Sequence, residues 1–251
     1  MGSACSMPAN DIVDFRRILG DRLASLYMSR YMGTGVKNFV MPVGLLLAID
    51  EENGGDATAR ELCKRFHLLD SESQDVIDFY FLGWQWVKPW DRSAGIRFDL
   101  ASFDSCRRSL KAAGVDRFGG NADLILVDAH FGVRGSSLDF RKAIHVNLSS
   151  SAAGGEIPPL GEFLQSIIEA AARVRESRDD LHEVGAVFSM SDRLGLATAR
   201  KSILDYILKK WGEVIGAKRL QAVAVRNIGP RVKLCDLPLP AVPQGRNPPR
   251  R

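Results

Sequence analysis

Apolar residues at Ile12, Phe15, Leu19, Leu23, Leu26 and Tyr27 recur every three or four positions, with Arg16, Arg17, Arg22 and Arg30 between and after them. That spacing predicts a helix over about 10–32 with one buried face and a wet arginine side. Asn10 or Asp11 supplies the cap, and Gly33 and Gly35 end it. A different pattern follows. Val43 to Ile49 is an unbroken apolar run, and so is Leu124 to Val127. Such runs predict strands buried on both faces, the usual mark of a parallel sheet.

The same reading places strands at 40–49, 74–84, 122–129, 143–148, 184–190 and 220–225, with a short one near 96–100. Helices are expected over about 56–69, 102–113, 158–174 and 196–215, separated by turn chemistry such as Asn53-Gly54-Gly55-Asp56. Leu138 to Phe140 is expected to form a hairpin arm with 143–148. Otherwise strands alternate with helices of ten or more residues, which argues for crossover units. The expected fold is therefore a three-layer, Rossmann-like α/β domain over 1–229. It has a mainly parallel sheet, helices on both faces and one antiparallel hairpin. From Pro230 the prolines at 238, 240, 243, 248 and 249 oppose both helix and central strand, so 230–251 reads as an extended Pro/Arg-rich tail.

Composition narrows the class. Of 251 residues, 45% are hydrophobic and 25% charged, which excludes collagenous, disordered and disulfide-scaffold chains. A chain of this length buries a core without covalent staples. The net charge of +4 is misleading, because the stretch from Arg226 carries +5 and the preceding residues −1. A broad basic face for nucleic acid is thus not indicated. Cys5, Cys63, Cys106 and Cys235 form no CxxC pair, so reduced thiols are expected. There is no apolar run of roughly 18–20 residues and no signal-peptide core, and a cytoplasmic location without a transmembrane segment is expected. Met1-Gly2-Ser3-Ala4-Cys5-Ser6 does match a short acylation pattern, with Gly2 and Cys5 as the acceptors,.

Candidate chemistry follows from the rule that open α/β sheets bind ligands beyond the carboxyl ends of their strands. Asp50, Glu51 and Glu52 follow the first long strand, and His130 lies two residues past Asp128 at the end of another. Ser149-Ser150-Ser151-Ala152-Ala153-Gly154 and Ser191-Asp192-Arg193 each join a strand to a helix. Their hydroxyls and free N–H groups suit an anion, although neither segment matches GxxxxGK[ST] or GxGxxG. Asp128 and His130 share one side of their strand and suit acid/base work or a divalent ion. Asp78 lies among Val76, Phe79 and Tyr80, where a buried carboxylate needs a partner or a function.

Trp84, Trp86 and Trp90 follow the same strand, near Lys88 and Arg92. They suit stacking on a base or docking of a protein. Two functions are therefore expected to compete. One is binding of a nucleotide or phosphorylated small molecule at the carboxyl edge, with Asp50, Glu51, Asp78 and Asp128 hydrolysing or transferring at a glycosidic or phosphate bond, directly or through magnesium. The other is a non-catalytic interaction subunit that uses the tryptophan surface and the Pro240-x-x-Pro243 tail for a protein partner.

Overall fold

The computed structural model describes residues 6–30, 38–73, 76–88, 95–115, 118–132, 135–182, 203–216 and 223–237. The helices are α1 (Ile12–Arg30), α2 (Ala57–Ser73), α3 (Leu100–Ala112), α4 (Leu148–Ala153) and α5 (Leu160–His182), followed by α6 at 203–211. Strands are β1 (Ser6–Ala9), β2 (Asn38–Ala48), β3 (Asp78–Leu82), β4 (Trp84–Trp86), β5 (Ile96–Phe98), β6 (Ala122–Gly132), β7 (Gly135–Asn147), β8 (Ala224–Arg226) and β9 (Arg231–Lys233). The expected strand at 184–190 lies outside the described residues. Among the described residues, no helix is long and apolar enough to cross a membrane.

One sheet organises the chain in the order β1-β3-β2-β6-β7-β8, with β9 also on β7. Helices cover both faces, as expected. Leu46, Phe79, Phe81, Leu124 and Ile144 meet α2, α5 and α6 on one side. On the other side Val43, Leu45, Tyr80, Ile125 and Val127 meet α1 and α3.

The direction of the strands corrects the expectation of a mainly parallel, Rossmann-like sheet. Among the described residues, only β1–β3 and β2–β3 are parallel. The pairs β2–β6, β6–β7, β7–β8 and β7–β9 are all antiparallel. An apolar run reports burial on two faces, and helices on both sides of an antiparallel pair bury it just as well as those of a parallel one. The hairpin also lies elsewhere. Residues 138–147 belong to one continuous strand, β7, whose hairpin partner is β6, with Gly132 opposite Gly135.

Two strands had no sequence signal. β1 has four residues including Pro8, tolerable because it is an edge strand,. β9 lies within the stretch assigned above to the tail, where Val232, Leu234 and Leu237 are buried against the α1/α3 side. The strand expected over 74–84 ends at Leu82, because Gly83 turns the chain at φ 80° and β4 then pairs with β5 in a separate ribbon.

Gly44 explains how β2 and β3 pack so closely. A Cβ there would sit 2.5 Å from the Phe79 ring, its register partner. Gly44→Ala should therefore cost roughly 1–3 kcal/mol, the range for overpacking a filled core. Urea denaturation checks it, and an unchanged midpoint would show that Phe79 moves aside freely.

Candidate functional site

Because β6 runs opposite to its neighbours, its amino end lies between the carboxyl ends of β2 and β7. Ile49 N–H donates to the Asn121 carbonyl at 2.8 Å and fixes that junction. The chain then turns tightly. The Asp50 carboxylate accepts from Asn53 N and Nδ2 at 3.0 and 2.6 Å, and Gly55 N–H returns to the Asp50 carbonyl at 2.8 Å. At Gly55 any Cβ would lie 1.8 Å from the Ile49 carbonyl oxygen, so only glycine lets the chain double back here. The turn delivers Asp56 to the sheet edge, where it accepts from Thr58 N at 2.9 Å at the start of α2.

On the other side Asn147 ends β7 and caps α4, its Oδ1 accepting from Ser150 N and Oγ, both at 2.8 Å. Gly120 approaches its amide so closely that a Cβ would be 2.6 Å from Asn147 Nδ2. These segments line an open cavity of about 320 Å³, formed by Asp56, Gly119, Gly120, Asn121, Asn147, Ser149 and Ser150. Burial pushes the Asp56 carboxyl up, but the hydrogen bond from Thr58 and the neighbouring polar side chains of Ser149 and Asn121 outweigh it and hold the group below its ordinary value. Asp56 is thus a fixed negative charge at neutral pH.

Beside this cavity lies a pair that sequence reasoning missed. Asp123 Oδ1 and His145 Nε2 are 2.9 Å apart and buried, while Asp123 Oδ2 accepts from Gly119 N at 3.1 Å. Asp123 stands opposite Asn147 in the ladder. It therefore ties the glycine loop of the cavity to two strands at once.

Of the sequence candidates, Ser149 and Ser150 line the cavity. Ser151 is buried, and its carbonyl accepts from Glu156 N, while Gly154 closes α4 through its N–H to the Ser150 carbonyl. Asp50 and Glu51 stand near the same edge, but both have local partners, Asn53 and Arg60. Asp78 and Asp128 are elsewhere. Their register partners on β2 are Val43 and Pro42, seven and eight residues before Asp50. To the end of β2 at Ala48 that leaves five and six residues, roughly 17–20 Å at about 3.3 Å each.

These two also face opposite layers. Asp78 meets Arg22 of α1, while Asp128 alternates with Val127 and Ala129, which face the α1 side. Asp128 instead stands opposite Asp139, and His130 opposite Ser137. Asp139, a further carboxylate the sequence reading passed over, is clamped by Arg141 Nε and Nη2 at 3.0 and 2.8 Å. Among the described residues, no three His, Cys, Asp or Glu side chains are grouped to hold a metal ion.

Of the β4 tryptophans, Trp84 is buried and Trp86 half-buried. Trp84 is 4% exposed, and its Nε1 donates to the Ala48 carbonyl at 3.0 Å. Trp86 packs edge-on against Phe66 at 5.3 Å between ring centres. Trp90, Arg92, Ser191, Asp192 and Arg193 lie outside the described residues.

Burial pushes the thiols of Cys63 and Cys106 up to about 12, with nearby Asp50 and Asp11 acting in the same direction. Both stay protonated at neutral pH and are poor nucleophiles. In the native protein, iodoacetamide should therefore alkylate exposed Cys235 well before either of them, as read by peptide mass spectrometry. Equal labelling of Cys106 would contradict this burial.

No protein-family model matches the chain, and neither a curated protein nor a solved structure is detectably similar to it.

Proposed function

We propose that the protein binds a small molecule of the nucleotide class at the carboxyl edge formed by β2 and β7. The observation that carries this reading is the convergence of three chain segments, at Asp56, at 119–121 and at 147–150, on one polar cavity of about 320 Å³. Its size lies within the range of small-molecule sites, roughly 300–1,000 Å³. Its position, beyond strand carboxyl ends and beside helix starts, is where α/β sheets generally hold ligands. Gly119 and Gly120 put bare backbone on the cavity lining, with Gly120 too close to Asn147 for a Cβ.

Hydrolysis or transfer by a shared set of Asp50, Asp78 and Asp128 has less support, since those side chains occupy separate parts of the sheet. Partner docking on the tryptophans is likewise weakened by the burial of Trp84. Thermal unfolding tests the proposal. With a ribonucleoside or ribonucleotide at about 100 times its Kd, the gain of about 2.7 kcal/mol should raise Tm by roughly 5–10 °C at this chain size. Ser150→Trp, which fills the cavity mouth, should abolish that rise. No shift with any nucleoside or nucleotide, with or without magnesium, would overturn the reading.

A further inference from the structure

The lining of the cavity discriminates between the parts of such a ligand. It offers one carboxylate, Asp56, two amides, Asn121 and Asn147, and two hydroxyls, Ser149 and Ser150. No lysine or arginine among the described residues lines it. A phosphate there would face the Asp56 charge with no cation to offset it. The first-turn amide of α4 beside the cavity, Ser150 N–H, is not open to an anion because it donates to Asn147 Oδ1. A pair of hydroxyls has the complementary need, because it donates to a carboxylate and accepts from amide N–H groups.

We infer that this cavity takes the vicinal diol of a ribose-type group, with Asp56 accepting from the hydroxyls and the Asn147 side-chain N–H donating to them. Asn147 is oriented for this, because its Oδ1 is held by Ser150, which leaves Nδ2 on the Gly120 side. Ser149 Oγ, on the cavity lining, is buried without a hydrogen-bond partner, and an entering diol supplies one. Gly119 and Gly120 provide the close backbone approach, and Asp123 secures them through Gly119 N–H. Base and phosphate then project from the mouth of the cavity toward solvent. The inference rests on the reading of this cavity as the ligand site.

The test is isothermal titration calorimetry of the full chain with adenosine, guanosine, cytidine and uridine, their 2′-deoxy counterparts, and inorganic pyrophosphate. At least one ribonucleoside should bind, and its 2′-deoxy form should bind at least ten times more weakly. Asp56→Asn keeps a good helix cap and should weaken the ribonucleoside at least tenfold, with little further loss on removing the 2′-hydroxyl. Equal affinity for the ribo and deoxy forms, or full affinity in Asp56→Asn, overturns the diol assignment but leaves the ligand site standing. Tight binding of pyrophosphate alone does the same in favour of a phosphate site. Absence of binding by every probe overturns the ligand site itself. The comparison of ribo and deoxy forms needs no variant, so it decides even where Asp56→Asn is poorly folded.

Discussion

A chain ending at Gly229 should lose cooperative folding, while one ending at Leu237 keeps every contact described for the C-terminal segment. β9 adds Ser137–Lys233, Leu138–Val232 and Asp139–Arg231 pairs to the β7 ladder, and Phe140 N–H reaches the Pro230 carbonyl at 3.2 Å. Val232, Leu234 and Leu237 are 8%, 6% and 1% exposed. Arg16 Nη1 donates to the Leu237 carbonyl at 3.3 Å and closes the segment over α1. At about 1.5–3 kcal/mol for each buried aliphatic side chain, the segment contributes on the order of 5–9 kcal/mol. That upper estimate rivals the whole stability of an ordinary domain, about 5–15 kcal/mol. Circular dichroism melts of the two truncations decide the matter. A cooperative melt of the Gly229 form within about 5 °C of the full chain would show that the segment only rests on the sheet.

The C-terminal segment also shows what sequence patterning cannot reach. Helices α1, α2, α3 and α5 were legible because their apolar spacing is set by their own geometry. β2 and β6 were legible because burial on both faces removes polar residues from the whole run. Strand direction leaves no such trace, since it depends on how connections cross the sheet. β9 has three residues flanked by proline, too short for a period to show.

The grouping of Asp50 with Asp128 depended on the same point. Strands running the same way would bring their carboxyl ends to one edge, but β6 is reversed, so Asp128 lies toward the opposite edge from Asp50. What the reversal brings to the β2 carboxyl edge instead is Asn121, at the start of β6. Ser149 and Ser150 were found because β7 does run with β2. Asp123 and His145 went unread because they meet only through the ladder, 22 residues apart in sequence.

Asp78→Ala should destabilise the fold by roughly 3–5 kcal/mol, the cost of leaving a buried charge without its counter-ion. The Arg22 and Asp78 side chains are 4% and 3% exposed, with Nε to Oδ2 at 3.1 Å and Nη2 to Oδ1 at 3.4 Å. Tyr80 OH also donates to Asp78 Oδ2 at 3.4 Å. The pair joins α1 to the start of β3 within the layer that holds Phe15, Leu19 and Tyr80, so removing the carboxylate takes a buried counter-charge from the Arg22 guanidinium. Changing both partners, Arg22→Met with Asp78→Leu, should recover most of the loss, because neither charge is then left buried. Urea denaturation of the two single variants and the double variant measures the coupling. Ligand response separates structure from chemistry. Val43, the register partner of Asp78, is six residues, roughly 20 Å, from Ile49, which bonds the cavity residue Asn121, so the folded double variant should keep the full ligand-induced rise in Tm. Loss of that rise with stability intact would instead return Asp78 to the ligand's chemistry.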